Sequence, residues 1–287
     1  MGLASWAGPG AAEGDAFERL VGAFDTLDGS DAFVHPDAMA AVAASGKRAE
    51  RAALDDIVGV LETAVRHRDS GERDGDLFGR IVEEWSSEPP DARARGIALD
   101  VALIHIASMS NLMAALGWAL VDLLTHPSEL TRVASGDTEF AQHCALESTR
   151  MAQRSIMSRA VLTPVDLDTG DITYRVPSGW TIATLLPLLN TSAAPGLDRW
   201  EPDRWHRHRL ADPSALPSPM MVTAFGHGKH SCPAQSFSLS AMTTAMTQLL
   251  GRFELTPRWA GHPTPVPAQI GGVARAADPC PVDYVAR

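Results

Sequence analysis

A mainly helical fold with small β-sheets is the class this sequence predicts, and three observations predict it. Apolar residues recur at three-to-four spacing through the first third. An unbroken helical pattern then runs from about Asp91 to His126. After that, short alternating segments lie between glycines and prolines, as strands of small sheets do.

Taken in order, helices are expected over Ala16 to Phe24, Pro36 to Ala44, Lys47 to Val65 and Leu77 to Trp85, with the charged stretch Arg66 to Asp76 as a solvated connection. Pro89 and Pro90 start the long helix, placed at about 91–126, and Pro127 closes it. At about 1.5 Å per residue such a helix crosses a whole domain. Between Val101 and Val121 it carries no Asp, Glu, Lys or Arg. That length could span a bilayer, but His105, Ser108, Ser110 and Asn111 near its middle favour a core helix buried in protein. Another helix follows at about 138–157. Asp171 to Val176 and Trp180 to Leu185 flank Pro177-Ser178-Gly179 and read as one hairpin. Asn190 to Pro219 has no period and is rich in Pro, Asp and Trp, so it reads as a long packed coil. A glycine loop leads to a last helix from near Cys232 to about Leu250, and strand fragments end the chain. One domain over 1–287 is expected.

The 287 residues include 24 basic and 35 acidic side chains, a net charge of −11, which argues against a nucleic-acid surface. With 45% hydrophobic and 21% charged residues the composition is globular. Three cysteines cannot make a disulfide framework; they suit a reducing compartment, where a functional cysteine is a ligand or a nucleophile. Neither a secretory leader nor a membrane anchor is expected, and the location expected is cytoplasmic.

Chemistry concentrates in residues 225–234, Phe-Gly-His-Gly-Lys-His-Ser-Cys-Pro-Ala. Glycines allow a tight turn, and Pro233 at a first helical position would make Cys232 the N-cap. Helix-end N–H groups favour a thiolate there, so a metal-bound thiolate is the reading these features share. His227, His230 and Cys232 as ligands of a zinc or copper ion is the other metal reading, although no second ligand pair is evident. Glu147 and Arg150 lie at i and i+3, on one helix face, where a carboxylate can accept a guanidinium fork. Taken alone, such a pair is more often a surface ion pair. Cys144 sits on an apolar helix face as packing, and His105 and His143 read as core or surface histidines.

The cysteine loop resembles the haem-binding signature of the cytochromes P450, with Phe225, Gly228, His230 and Cys232 at matching positions and Ala234 where a glycine is usual. Glu147-Ser148-Thr149-Arg150 matches that family's Glu-x-x-Arg pair, and Glu201-Pro202-Asp203-Arg204-Trp205 resembles its Pro-Glu-Arg-Phe segment. The resemblance implies a haem b cofactor with Cys232 as axial thiolate, and His230 and Arg159 on the propionates. It also implies a network of Glu147, Arg150 and Arg204 that locks the coil. It covers roughly Phe17 to Val285 but only the later part of the family fold, so an N-terminally truncated member or a fragment is expected.

The implied activity is that of a soluble, bacterial-type monooxygenase of secondary metabolism. It would take electrons from a ferredoxin or similar donor, itself reduced by an NAD(P)H-dependent reductase. The donor would dock near Lys229, Arg207 and Arg209, and the substrate would be an apolar small molecule, with no nucleic acid or membrane partner. On the long helix, the family's acid and threonine positions fall on Ser110 and Asn111, which weakens the proton relay. The other readings are an enzyme that rearranges a pre-activated peroxide or N–O substrate, and a non-catalytic haem-binding fragment. Leu103, Ala107, Ser108, Pro164 and Val165 are the substrate contacts expected.

Overall fold

The computed structural model describes residues 2–28, 35–67, 76–207, 209–266 and 271–287. Most of the connection expected at Arg66 to Asp76 therefore lies outside the described residues. The chain divides into two compact units, Met1–Asn111 and Leu112–Arg287.

The first unit is helical: α1 (Gly2–Trp6), α2 (Gly14–Leu27), α3 (Pro36–Ala44), α4 (Arg48–His67), α5 (Leu77–Glu84) and the first part of α6 (Pro90–Thr125). Five of these six match the expected segments within two or three residues, and α1 carried no periodic signal. α2 packs on α4, burying Leu20, Phe24, Ile57 and Leu61, and an Arg19–Asp56 ion pair spans the two helices on the surface. Phe24 stacks on His105 at 4.1 Å, which makes His105 a packed histidine whose burial pushes its pKa down. Trp85 Nε1 donates to Asp100 Oδ2 at 2.7 Å, and its ring lies over Gly96, where a Cβ would meet ring carbons at 2.4 Å.

α6 is as long and apolar as a membrane-crossing helix by length and composition. The core helix buried in protein that the sequence favours is buried toward its two ends and less so in its middle. Ile97 to Ala102 and the stretch from Leu112 to Leu123 contribute buried faces, but no residue from 103 to 111 is fully buried. Leu103 and Met113 are 67% and 61% exposed.

The second unit holds the rest of α6, then α7 (Pro127–Ala134), α8 (Thr138–Met151), α9 (Leu186–Ser192) and α10 (Gln235–Arg252). Pro127 ends α6, as expected, and also opens α7 at a position where its missing N–H costs nothing. α8 stops six residues earlier than expected. Arg154 N donates to Gly272 O and Gln153 bridges Val273, so the chain turns into a sheet-like pairing instead of another helical turn.

Among the described residues, the unit also has four two-stranded antiparallel sheets: β1 (Ile156–Ala160) with β4 (Thr181–Leu185), β2 (Val165–Asp168) with β3 (Thr173–Val176), β5 (Trp205–His206) with β6 (Arg209–Leu210), and β7 (Phe253–Pro257) with β8 (Val282–Ala286). The strands expected around Pro177-Ser178-Gly179 exist, but they do not pair with each other. A tighter turn captures β3 for β2: Gly170 takes φ +90°, Asp168 Oδ1 accepts from Gly170 N, and Thr169 N donates to Ile172 O. β4 is carried to β1 by reciprocal bonds of Val161 with Gly179 and Trp180, each 2.8 Å.

Candidate haem-thiolate site

α8 places Glu147 and Arg150 one turn apart on a face that is wholly buried. Arg150 Nε and Nη2 donate to Glu147 Oε2 and Oε1 at 2.8 and 2.6 Å, the two-pronged geometry that a planar fork allows. Arg204 Nε adds a bond to Glu147 Oε1 at 2.7 Å, and Trp205 Nε1 and Glu201 N donate to the same carboxylate at 2.9 and 3.0 Å. Such complete satisfaction is what allows a carboxylate to remain inside a protein.

Arg150 also reaches into the irregular coil. Its Nη1 donates to the carbonyls of Leu197 (2.8 Å) and Asn190, and its Nη2 to that of Arg199 (3.2 Å). Sequence reasoning brought Glu147, Arg150 and Arg204 together and missed Asn190. That buried amide donates to Arg150 O and Thr223 O and accepts from Thr223 N, coupling the helix to the segment before the cysteine loop. Asn190 follows an apolar run and carries no pattern that would have singled it out. Gln153 was missed for the same reason; its Nε2 donates to Ala224 O at 2.7 Å.

The loop itself is closed by backbone. Cys232 N donates to Phe225 O at 2.7 Å, Ser231 N to Gly228 O, and Gly226 N to Thr223 Oγ1 at 2.6 Å. Gly226 takes φ +79°, and a Cβ there would stand 2.6 Å from His230 O, so this position requires glycine. Gly228 also has positive φ and leads into the short turn Gly228–His230.

Cys232 is not the N-cap expected of it. Its N–H is committed across the loop to Phe225, and the helix starts three residues later, with Ala234 as cap and Gln235 first. Its thiol is half-buried and has no hydrogen bond to the described residues. Cys144, by contrast, is fully buried, and burial pushes its thiol far up, as packing requires.

His230 is exposed, and so is Arg159 on β1, which bonds only the Ser158 carbonyl and Met157 Sδ; neither pairs with an acid among the described residues. Among the described residues, one thiol without a hydrogen-bond partner, and a histidine and an arginine without acid partners, suit an iron porphyrin, which needs one strong axial ligand and polar partners for two propionates. Among the described residues no three His, Cys, Asp or Glu converge as metal ligands, and His227 Nε2 is engaged with Val222 O.

In the first unit Ser110 and Asn111 lie on the half-buried middle of α6, and Asn111 Nδ2 donates to Ala107 O at 2.9 Å. Of the expected substrate contacts, Leu103 is exposed and Ser108 half-buried, while Pro164 and Val165 lie exposed at the start of β2.

The helices and small sheets have the fold of part of a cytochrome P450 haem domain. A crystal structure of the cytochrome P450DA heme domain matches with a TM-score of 0.70 and 17% identity, covering 100% of this chain and 64% of that one. No protein-family model matches. Among curated proteins, the human 24-hydroxycholesterol 7-alpha-hydroxylase is 26% identical over 213 residues, 64% of this chain and 43% of its own length. The cytochrome P450 monooxygenase pyr3 of Aspergillus fumigatus is 26% identical over 71% of this chain and 42% of its own. Cytochrome P450 165B3 of Amycolatopsis orientalis is 26% identical over 73% and 48%. The chain has the cytochrome P450 fold and is similar in sequence to cytochromes P450, and it spans under half the length of these curated relatives.

Proposed function

We propose that this chain carries the haem-binding part of a monooxygenase that inserts one atom of dioxygen into an apolar small molecule. The other atom goes to water. Electrons come from a ferredoxin-type donor with its NAD(P)H-dependent reductase, in the cytoplasm and without membrane or nucleic acid. The observation that carries this reading is the Cys232 loop, closed by backbone yet leaving its thiol half-buried and without a hydrogen-bond partner among the described residues.

Cys232 would hold the iron of haem b as thiolate, while His230 and Arg159 would meet the propionates. Phe225 and Gly228 shape the loop. Haem ligated by a thiolate supplies the electron push that favours O–O cleavage. The polypeptide's part is to hold the ligand, balance the propionate charge and move protons. The human relative's name describes hydroxylation of a hydroxycholesterol, which supports an apolar substrate. Exposed Lys229, Arg207 and Arg209 supply positive charge for an acidic donor in a chain whose net charge is −11.

Ser110 and Asn111 are assigned to hydrogen bonding near bound dioxygen. Neither titrates near neutral pH, so neither delivers protons as a carboxylic acid does. That supports a second reading, turnover of a pre-activated peroxide or N–O substrate without a donor. Product formation measured with NAD(P)H, donor and dioxygen, and then with each omitted, separates the two. Dependence on all three supports monooxygenation, and full turnover without donor overturns it.

A further inference from the structure

Away from the cysteine loop, the second unit contains a part-open cavity of about 520 Å³. Its lining includes two tryptophans, two histidines and two arginines: Trp118, Trp200, His126, His262, Arg154 and Arg199. A volume of this size accommodates a small organic ligand.

The walls are fixed. Trp118 Nε1 donates to Ala274 O at 2.6 Å, and its ring stacks on His262 at 5.8 Å with an interplanar angle of 8°. Trp200 Nε1 donates to Ser148 Oγ at 2.9 Å, and its ring lies 4.5 Å from that of His126.

The one carboxylate in the lining is already committed. Asp122 Oδ2 accepts from Ser148 Oγ at 2.6 Å, and Oδ1 faces His262 Nε2 at 3.0 Å. His262 Nδ1 lies 2.9 Å from Pro263 O, so both ring nitrogens face acceptors, an arrangement that only an imidazolium satisfies in full.

The guanidinium groups are different. Arg154 is half-buried and donates only to the Gln153 carbonyl, and Arg199 has no hydrogen bond or ion pair from its side chain to the described residues. Burial pushes the Arg154 pKa down, as an unpaired interior cation requires. Among the described residues the aromatic-walled cavity has two cations without acid partners and one acid, which is neutralised, and this calls for a flat apolar ligand bearing a negative charge.

We propose that this cavity binds a planar aromatic carboxylate, the ring lodged against Trp118 and Trp200 and the carboxylate on Arg154 and Arg199. The site is separate from the thiolate and does not depend on haem. Calorimetric titration with 2-naphthoate, 2-naphthamide and 2-naphthylmethylammonium tests it. The carboxylate should bind at least about tenfold more tightly than the other two, since charge-assisted bonds to guanidinium distinguish it. Arg199→Gln and Arg154→Gln should each weaken 2-naphthoate by about tenfold or more and leave 2-naphthamide unchanged. Arg199 is exposed, so its variant tests the charge without disturbing packing, and an unchanged unfolding temperature verifies this. Binding should persist in Cys232→Ser. Equal affinity for the amide or the amine, indifference to both arginine variants, or loss of binding in Cys232→Ser overturns the proposal.

Discussion

The buried carboxylate of α8 and the thiol of the cysteine loop are built on opposite plans. Glu147 is surrounded by donors from Arg150, Arg204, Trp205 and the Glu201 backbone, and both Glu147 and Arg150 are 0% exposed. Cys232 has its backbone bonded and its side chain unengaged among the described residues. One region spends its polar groups on holding the coil; the other holds its backbone so that a side chain remains available. Stability and reactivity are thus divided between neighbouring stretches of chain, coupled through Asn190 and Gln153.

The largest effect should come from breaking the first region. Arg150→Ala leaves Glu147 short of two donors and frees the carbonyls of Leu197, Asn190 and Arg199, and removal of one partner from a buried pair costs roughly 3–5 kcal/mol. Chemical denaturation should show that loss, with soluble yield falling alongside it. An Arg150→Ala protein as stable as the parent would make the pair a passive contact.

A smaller effect should follow in the loop. Gly226→Ala forces a side chain into φ +79° and against His230 O, a strain of about 1–3 kcal/mol. Because the strain is local, haem retention should fall more than global stability does. If the two fall together, the loop is part of the folding core and the division drawn above is wrong.

Asn111→Thr should act on chemistry alone. It replaces an amide bonded to Ala107 O by a hydroxyl able to relay protons, so the fraction of consumed electrons recovered as product should rise while unfolding temperature stays constant. A fall in coupling would assign the proton path to the amide itself.

The smallest effect concerns pH. The hydrogen bond to Asp122 raises the His262 pKa above its ordinary value of about 6.5. A raised folded-state pKa contributes stability that is fully present below the unfolded value and is lost as pH rises through the folded one. Stability should therefore decline above about pH 6.5, and His262→Gln should flatten that slope. The ring is half exposed, so the effect is modest.

Much of this was readable in the residues. Long periodic segments such as α4 and α6 were placed within two residues, because an apolar stripe sustained over many turns has few alternatives. Glu147, Arg150 and Cys232 were visible because their spacing carries a mechanism. Strand pairing around Pro177 was misread: two turns competed for β3, and the Asp168-Thr169-Gly170 turn closes with side-chain bonds that alternation does not reveal. The early end of α8 depends on Gly272 and Val273, more than a hundred residues away, and local pattern cannot report such a partner. Asn190 was invisible for the same reason, its partners lying on Arg150 and Thr223.

The central claim is that Cys232 is the thiolate ligand of a haem. The most direct measurement is the absorption spectrum of the haem-loaded, reduced protein under carbon monoxide. The parent, Cys144→Ser and Cys280→Ser proteins should show the red-shifted Soret band of thiolate-ligated haem, and Cys232→Ser should lose it. Persistence of that band in Cys232→Ser would contradict the assignment.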